Sequence, residues 1–330
     1  MIRKGSVKKV FSLTILLFLL SAGHGLTQAS RVELNVNYPA IGGLSTAFWV
    51  AVEAGTFEKY GVKVKPVYIP SAALAVRAML AGELPVGFGA GTPVIEATLG
   101  GADLVIIAGV VNVPAFYVMS QPEVQSLKEI RGKAVGVTRL GSATDFTIRY
   151  VLRGAGIDPE REVTILQLGG MPELAAALSK RLIAAAALSP PTNLRAKRAG
   201  AKVLIDMAKA GVPFPHMVFF TRRSYLQSHR EILLNFLKGY SDGLRRMVSE
   251  KAFTKQVIQK YIREKDDEVL EATYQFAVDY IVQLPYSTRE GIAEVLKQSV
   301  HPKARTAVPE DFVDLSLVQA LEKDGFFSRR

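Results

Sequence analysis

The sequence predicts a two-lobed α/β fold, each lobe a mostly parallel sheet flanked by helices, with a ligand cleft at the hinge. Three observations lead there. Strand-like and helix-like stretches alternate from residue 32, which argues for parallel strands covered by helices. The alternation runs through once and then starts again at an offset of about 100 residues, so the architecture is repeated. After Met207 one late strand-like segment gives way to helices alone.

Taken in order, the first pass reads "VELNVNY" as a strand and "LSTAFWVAVEAG" as a helix closed by Gly55, with a further turn ending at Gly61. "VKVKPVYI" is strand-like, "AALAVRAMLAG" helical, "PVGFGA" strand-like, "TPVIEATLGG" a short helix and "ADLVIIAGVV" a buried strand. The second pass repeats this with "KAVGV", "FTIRYVLRGAGI", "VTILQL", "PELAAALSKRL", "IAAAAL", a loop entering a helix at "SPPTNLRAKRAG", and "AKVLIDM". Gly91-Thr92-Pro93 falls opposite Pro190-Pro191-Thr192, although identity between the passes is low. "PHMVFFTRR" is the late strand. The rest, from "SYLQSHREILLNF" to "DLSLVQALEKDGF", carries apolar residues at the spacing of amphipathic helices.

At 330 residues the chain exceeds the roughly 250–300 residues at which one hydrophobic core stops growing. The expected division is residues 1–29 as a signal peptide, 30–113 with 218–330 as the first lobe, and 114–217 as the second. Two crossing segments then form the hinge and place Asn112, Pro114, Phe116 and His216 there.

The first 29 residues stand apart. Arg3, Lys4, Lys8 and Lys9 precede an uncharged run from Val10 to Leu20, and Thr27-Gln28-Ala29 offers a small-x-small cleavage site. That pattern is a secretory signal, and a run of this length is too short to span about 30 Å of hydrocarbon. Cleavage is expected near Ala29. The sequence holds no cysteine, so it has no disulfide framework, no thiolate nucleophile and no site for a lipid anchor. A periplasmic location follows as the expectation.

Basic residues outnumber acidic ones 41 to 30. Without the four in the leader the balance is 37 to 30, a mild excess spread along the chain. No basic run is interleaved with aromatics, so nucleic acid is not an expected partner. The histidines have no metal-ligand spacing, and neither a Walker motif nor a dinucleotide fingerprint occurs. No metal and no cofactor is expected.

In sheets of this kind ligands sit beyond the carboxyl ends of the strands, where helix N-termini point their free N–H groups. The residues there are Gly42, Gly43, Leu44 and Ser45 after the first strand, Ser71 after the second, and Gly91 and Thr92 after the third. In the second pass they are Arg139, Gly141, Ser142, Ala143 and Thr144, then Ser189. Each loop offers glycine or a small hydroxyl, which allows close backbone approach without bulk. Ser and Thr are also ordinary N-caps, so convergence of several loops is what a site requires.

"RLGSATDFT", residues 139–147, has three readings: a helix cap, an anion cradle or a nucleophile turn. Leu-Gly-Ser-Ala does not match Gly-x-Ser-x-Gly, and no histidine partner is near in sequence. The cap and the cradle remain, and the expectation is that the stretch is both. Arg139 suits a carboxylate, sulfonate or phosphonate, with a surface salt bridge as its rival role. Bulky replacements of Ser142 and Thr144 should then abolish binding and leave stability near wild type. Phe48 and Trp49 are expected in the core.

Several of these stretches resemble one family. "FWVAVEAGTFEKYGVKV", "SLKEIRGKAVGV", "LAGELPVGFG", "AAALSPP" and "DLSLVQALEKDGF" look, in that order, like segments of the periplasmic substrate-binding proteins of nitrate/sulfonate/taurine-type ABC importers. Those are grouped with thiamine-pyrimidine-synthase-like proteins. The resemblance runs from about Val32 to Phe327 and implies a type II periplasmic binding protein fold that closes on a small solute. It also implies an ABC permease as partner, a monomer and no enzymatic activity. Family contacts map onto Gly42 to Ser45, Ser71 and Gly141 to Thr144. Where the family often has an acidic residue, this chain has Pro85 and Ala184. The solute is expected to be anionic or polar, of the sulfonate, nitrate or taurine class. The alternative is an enzyme or pyrimidine-precursor binder on the same fold, but that enzyme family carries a cysteine-rich motif and a pyridoxal-phosphate lysine.

Overall fold

The computed structural model describes residues 32–328, so the expected signal peptide lies outside the described residues. The first pass forms β1 (Val32–Tyr38), α1 (Thr46–Glu53), β2 (Val62–Tyr68), α2 (Ala72–Leu80), β3 (Gly87–Gly89), α3 (Gly91–Leu99) and β4 (Leu104–Val111). Gly55 and Gly61 adopt positive φ after α1, the conformation that lets glycine end a helical turn without a Cβ penalty. All eight residues of β4 are buried, which explains its unbroken apolar run.

The second pass opens with β5 (Tyr117–Ser120), which the sequence pattern did not reveal. Then come β6 (Ala134–Val137), α4 (Ala143–Gly154), β7 (Thr164–Gln167), α5 (Met171–Ser179), β8 (Ala185–Leu188), α6 (Thr192–Arg198) and β9 (Lys202–Asp206). The late strand is β10 (Met217–Arg222). Helices α7 (Arg223–Ser228), α8 (Arg230–Ser249), α9 (Lys251–Ile262), α10 (Asp267–Tyr280), α11 (Arg289–Gln298) and α12 (Ser316–Lys323) complete the chain.

The two passes build two sheets of one design. In the second the strand order is β7-β6-β8-β5-β9. In the first, β1 pairs with β2, β10 lies between β3 and β4, and a parallel bridge from Val36 to Val86 joins the groups. The order is thus β2-β1-β3-β10-β4. In each sheet four strands run one way and one runs against them, so the sheets are mixed, with two parallel and two antiparallel pairs: β5 is antiparallel to β8 and β9, and β10 to β3 and β4. Each reversed strand is the one that has just crossed over from the other sheet.

Apolar side chains on both faces of the first sheet determine where the helices pack. On one face Phe48 and Trp49 of α1, both fully buried, meet Phe236 and Tyr240 of α8. The other face packs α2, α3 and α11, and its core continues into Phe116, Phe146 and Phe214 at the junction of the sheets. Trp49 stacks on Tyr261 with ring centroids 4.6 Å apart, and Tyr38 bridges Trp49 to Tyr68.

Candidate functional site

The loops that follow β1, β2, β6, β7 and β8 converge on one cavity of about 70 Å³. That exceeds the roughly 10–15 Å³ that one water needs. Its walls hold the first turns of α2, α4 and α5 and the loop before α1, so helix N-termini from both sheets face it.

The structure brings Gly42, Leu44, Ser71, Ser142, Ala143, Thr144 and Ser189 to this wall, together with Phe116 and His216 from the two crossings. It does not bring Gly43, Ser45, Gly91, Thr92, Arg139 or Gly141 there. Each of these has another place. Gly43 donates its N–H to the Pro190 carbonyl at 3.1 Å, so its amide bridges the loops after β1 and β8. A Cβ on Gly42 would lie 2.9 Å from that same carbonyl, which is why only glycine fits. Ser45 donates its hydroxyl to the Ala40 carbonyl at 2.8 Å and braces its own loop.

Gly91 donates to the Pro215 carbonyl at 2.8 Å and holds the return crossing. Gly141 has φ +76 and donates to Asp145 Oδ2 at 2.8 Å. With Thr92 it lies on a separate open groove of about 470 Å³, where Arg149 and Arg153 pair with Asp145 and Glu160. Arg139 is half-buried with its Nε unpartnered and lines neither space. Of the remaining hinge residues, Asn112 donates to the Tyr286 carbonyl at 2.8 Å, and Pro114 carries the turn that presents Phe116.

Within the cavity the second-sheet wall is set by three buried hydroxyls. Thr138 Oγ1 lies 3.0 Å from Ser142 Oγ and 2.9 Å from Thr144 Oγ1, and these last two are 2.9 Å apart. Thr144 Oγ1 also accepts the Thr138 N–H at 2.9 Å, and Ser142 caps α4. Each hydroxyl spends its proton inside the ring. The donors this wall turns toward a ligand are therefore backbone amides of the first turn of α4, which the helix cannot satisfy. Bulky groups at Ser142 or Thr144 would break the ring, so the expectation of unchanged stability is corrected.

Apart from the Ser71 and Ser189 hydroxyls and the His216 ring, the rest of the wall is mostly apolar or aromatic, and includes Tyr68, Met171 and Met217, which the sequence reading missed. Tyr68 ends β2 and Thr138 follows the last residue of β6, so both could have been found by position alone; the methionines carry no local signal. Among the described residues no Lys, Arg, Asp or Glu lines the cavity. Its titratable groups are His216, pushed down to about 3 by burial, and Tyr68, pushed up by burial and then by Glu173 and Tyr38. Among the described residues no cluster of His, Cys, Asp or Glu could hold a metal.

Comparisons with known proteins return one family and one fold. The NMT1/THI5 like family matches residues 44–251. The chain belongs to this family. A Bordetella bronchiseptica protein superposes with a TM-score of 0.80 at 16% identity, covering 90% of this chain and 99% of that one. The alkanesulfonate-binding protein SsuA of Xanthomonas axonopodis pv. citri, solved with MOPS bound, gives a TM-score of 0.72 at 17% identity over 86% and 98%. These likenesses show a periplasmic binding protein fold. In sequence, a Brachyspira hyodysenteriae protein named as an ABC transporter periplasmic binding protein is 24% identical over 201 residues, 56% of this chain. The match spans about 57% of that relative's length.

Proposed function

We propose that this NMT1/THI5-like protein is the extracytoplasmic solute-binding component of an ABC importer, which closes on a small solute and delivers it to a membrane permease. The observation that carries the reading is the cavity itself. Loops after equivalent strands of two sheets meet over it, and only two crossings join those sheets. Residues 30–113 and 218–330 would move as one lobe and 114–217 as the other, with the cleft open before binding. The Gly43 to Pro190 hydrogen bond and the ion pairs Arg195–Glu264 and Arg198–Asp266 would form on closure. Export across the inner membrane places it where such a solute is met.

The enzyme reading has less support. A pyridoxal-phosphate site needs a lysine for the Schiff base, and the cavity wall holds none. The chain also lacks cysteine.

The experiment is a thermal-shift screen on protein unfolded and refolded to strip any bound solute, with small-molecule extracts of the untreated protein identified by mass spectrometry. A solute at 100 times its Kd adds about 2.7 kcal/mol to stability, and such a hit or an extracted solute is expected. A response to pyridoxal phosphate alone would favour the enzyme, and an empty extract with a silent panel would remove the transport reading.

A further inference from the structure

His216 was expected only to flex at a hinge, yet its ring sits in the cavity wall and is 4% exposed. The ring is held through Nδ1 alone: the Ala115 N–H points at it from 2.9 Å. An N–H aimed at a ring nitrogen requires a lone pair there, so the neutral imidazole carries its proton on Nε2. The Val113 carbonyl, 3.2 Å from Nδ1, would favour the opposite tautomer. It already accepts the Ala115 N–H at 2.8 Å, and a proton on Nδ1 would collide with that donor. Nε2–H has no protein partner among the described residues, while Nδ1 is turned to the Val113–Ala115 backbone and the residue lines the cavity. Phe116 and Phe214 flank the ring, at 4.3 and 5.9 Å between centroids, and Tyr68 is the other titratable group of the wall.

We propose that the cavity selects an uncharged solute, with an apolar body and a hydrogen-bond acceptor that receives the Nε2–H of His216. This rests on the solute-binding reading and narrows it, away from sulfonate- or nitrate-like anions. Three features of the wall point the same way. It has no cation to compensate a desolvated charge, and Arg139, the cation expected there, is elsewhere. The hydroxyls of Thr138, Ser142 and Thr144 are spent on one another. Leu44, Phe116, Met171 and Met217 supply apolar surface for the body of the ligand. Free amides at the helix N-termini suit a carbonyl oxygen as well as an anion, and so do the hydroxyls of Tyr68 and Ser71 on the wall, so a neutral amide or ketone group finds donors there without bringing a charge. The imidazole stays neutral because burial opposes its charging, and affinity should not vary between pH 5 and pH 8.

The test uses probes matched in shape: acetamide, acetate and methanesulfonate, then benzamide, benzoate and benzenesulfonate. Binding is followed by titration calorimetry and by the fluorescence of Trp49, the sole tryptophan, which contacts the cavity residue Tyr68 through Tyr38. Within a set the amide is expected to bind at least about tenfold tighter than the sulfonate, a factor worth about 1.4 kcal/mol. H216N, which can still accept from Ala115 but has no Nε2–H, should lose about that factor for the amide while remaining folded. Tighter binding of the sulfonates would overturn the inference and leave the solute-binding reading standing. Silence from both sets would overturn the inference, and the solute-binding reading would still be decided by the extract and the wider panel. Independently of any ligand, nitrogen-15 NMR of histidine-labelled protein, with H216N for assignment, should show the Nε2–H tautomer from pH 5 to pH 8. A ring protonated at Nδ1, or a charged ring in that range, would also overturn it.

Discussion

The loops after β1 and β6 hold the same place in their two sheets and close the cavity by different means. The first uses absence of side chain: Gly42 and Gly43 let the backbone touch the Pro190 carbonyl. The second uses side chains that satisfy one another, the ring of Thr138, Ser142 and Thr144. One is a contact between sheets and the other a brace within a sheet. Repeated architecture therefore does not imply repeated chemistry, because a strand-to-helix turn needs only its own donors satisfied and several residue sets can do that.

The comparison can be broken at the first loop with the largest effect. In G43V the new side chain meets the Thr273 carbonyl, 2.9 Å from a Cβ, and the Phe276 ring at 3.1 Å. Overpacking of this kind costs about 1–3 kcal/mol, and urea unfolding should show the upper end because the Pro190 contact is lost as well. Solute binding should fail too. An undiminished Tm would mean that the loop is not packed as described.

A control that belongs to neither loop is pH. The folded-state value of His216, about 3, lies below the ordinary 6.5, so the unfolded chain binds more protons between these values. Stability is then fully present above about pH 6.5 and falls as pH drops toward 3. From pH 7 to pH 5 the loss from this group is about 2 kcal/mol. Urea midpoints at the two pH values should differ accordingly, and H216N should shrink the difference.

T144V sharpens the comparison at the second loop. It leaves the buried Thr138 N–H without its acceptor, at a cost of about 1–3 kcal/mol, while the Gly43 to Pro190 contact is untouched. S45A removes one hydrogen bond to the Ala40 carbonyl and should cost about 1 kcal/mol, with affinity for any solute unchanged. The smallest effect belongs to R139A. Its guanidinium forms no ion pair among the described residues, so stability should move by no more than about 0.5 kcal/mol. A large loss of affinity in R139A would place that arginine back at the site.

Much of the fold was legible because its signals are local. Gly55 and Gly61 mark turns by the φ that only glycine takes easily, and the apolar run of β4 marks a strand buried on both faces. β5 escaped although β6, β7 and β8 are as short, because no α-helix separates it from β4 and it breaks the alternation of strand and helix; its direction is set by pairing with β8 and β9. At the site, small residues at strand ends pointed to the right loops. They could not separate Ser142, on the wall, from Ser45, whose hydroxyl is already committed.

By itself the sequence determined the alternation of elements, its repetition and the polar loops at the carboxyl ends of the strands, since each depends on residues near one another along the chain. Tertiary structure alone decided which donors remain for a ligand. The Gly43 amide is consumed by Pro190, and the Nδ1 of His216 by Ala115. Partners so far apart in the chain leave no pattern in it, and a hydrogen bond spent across that distance cannot be seen until the chain has folded.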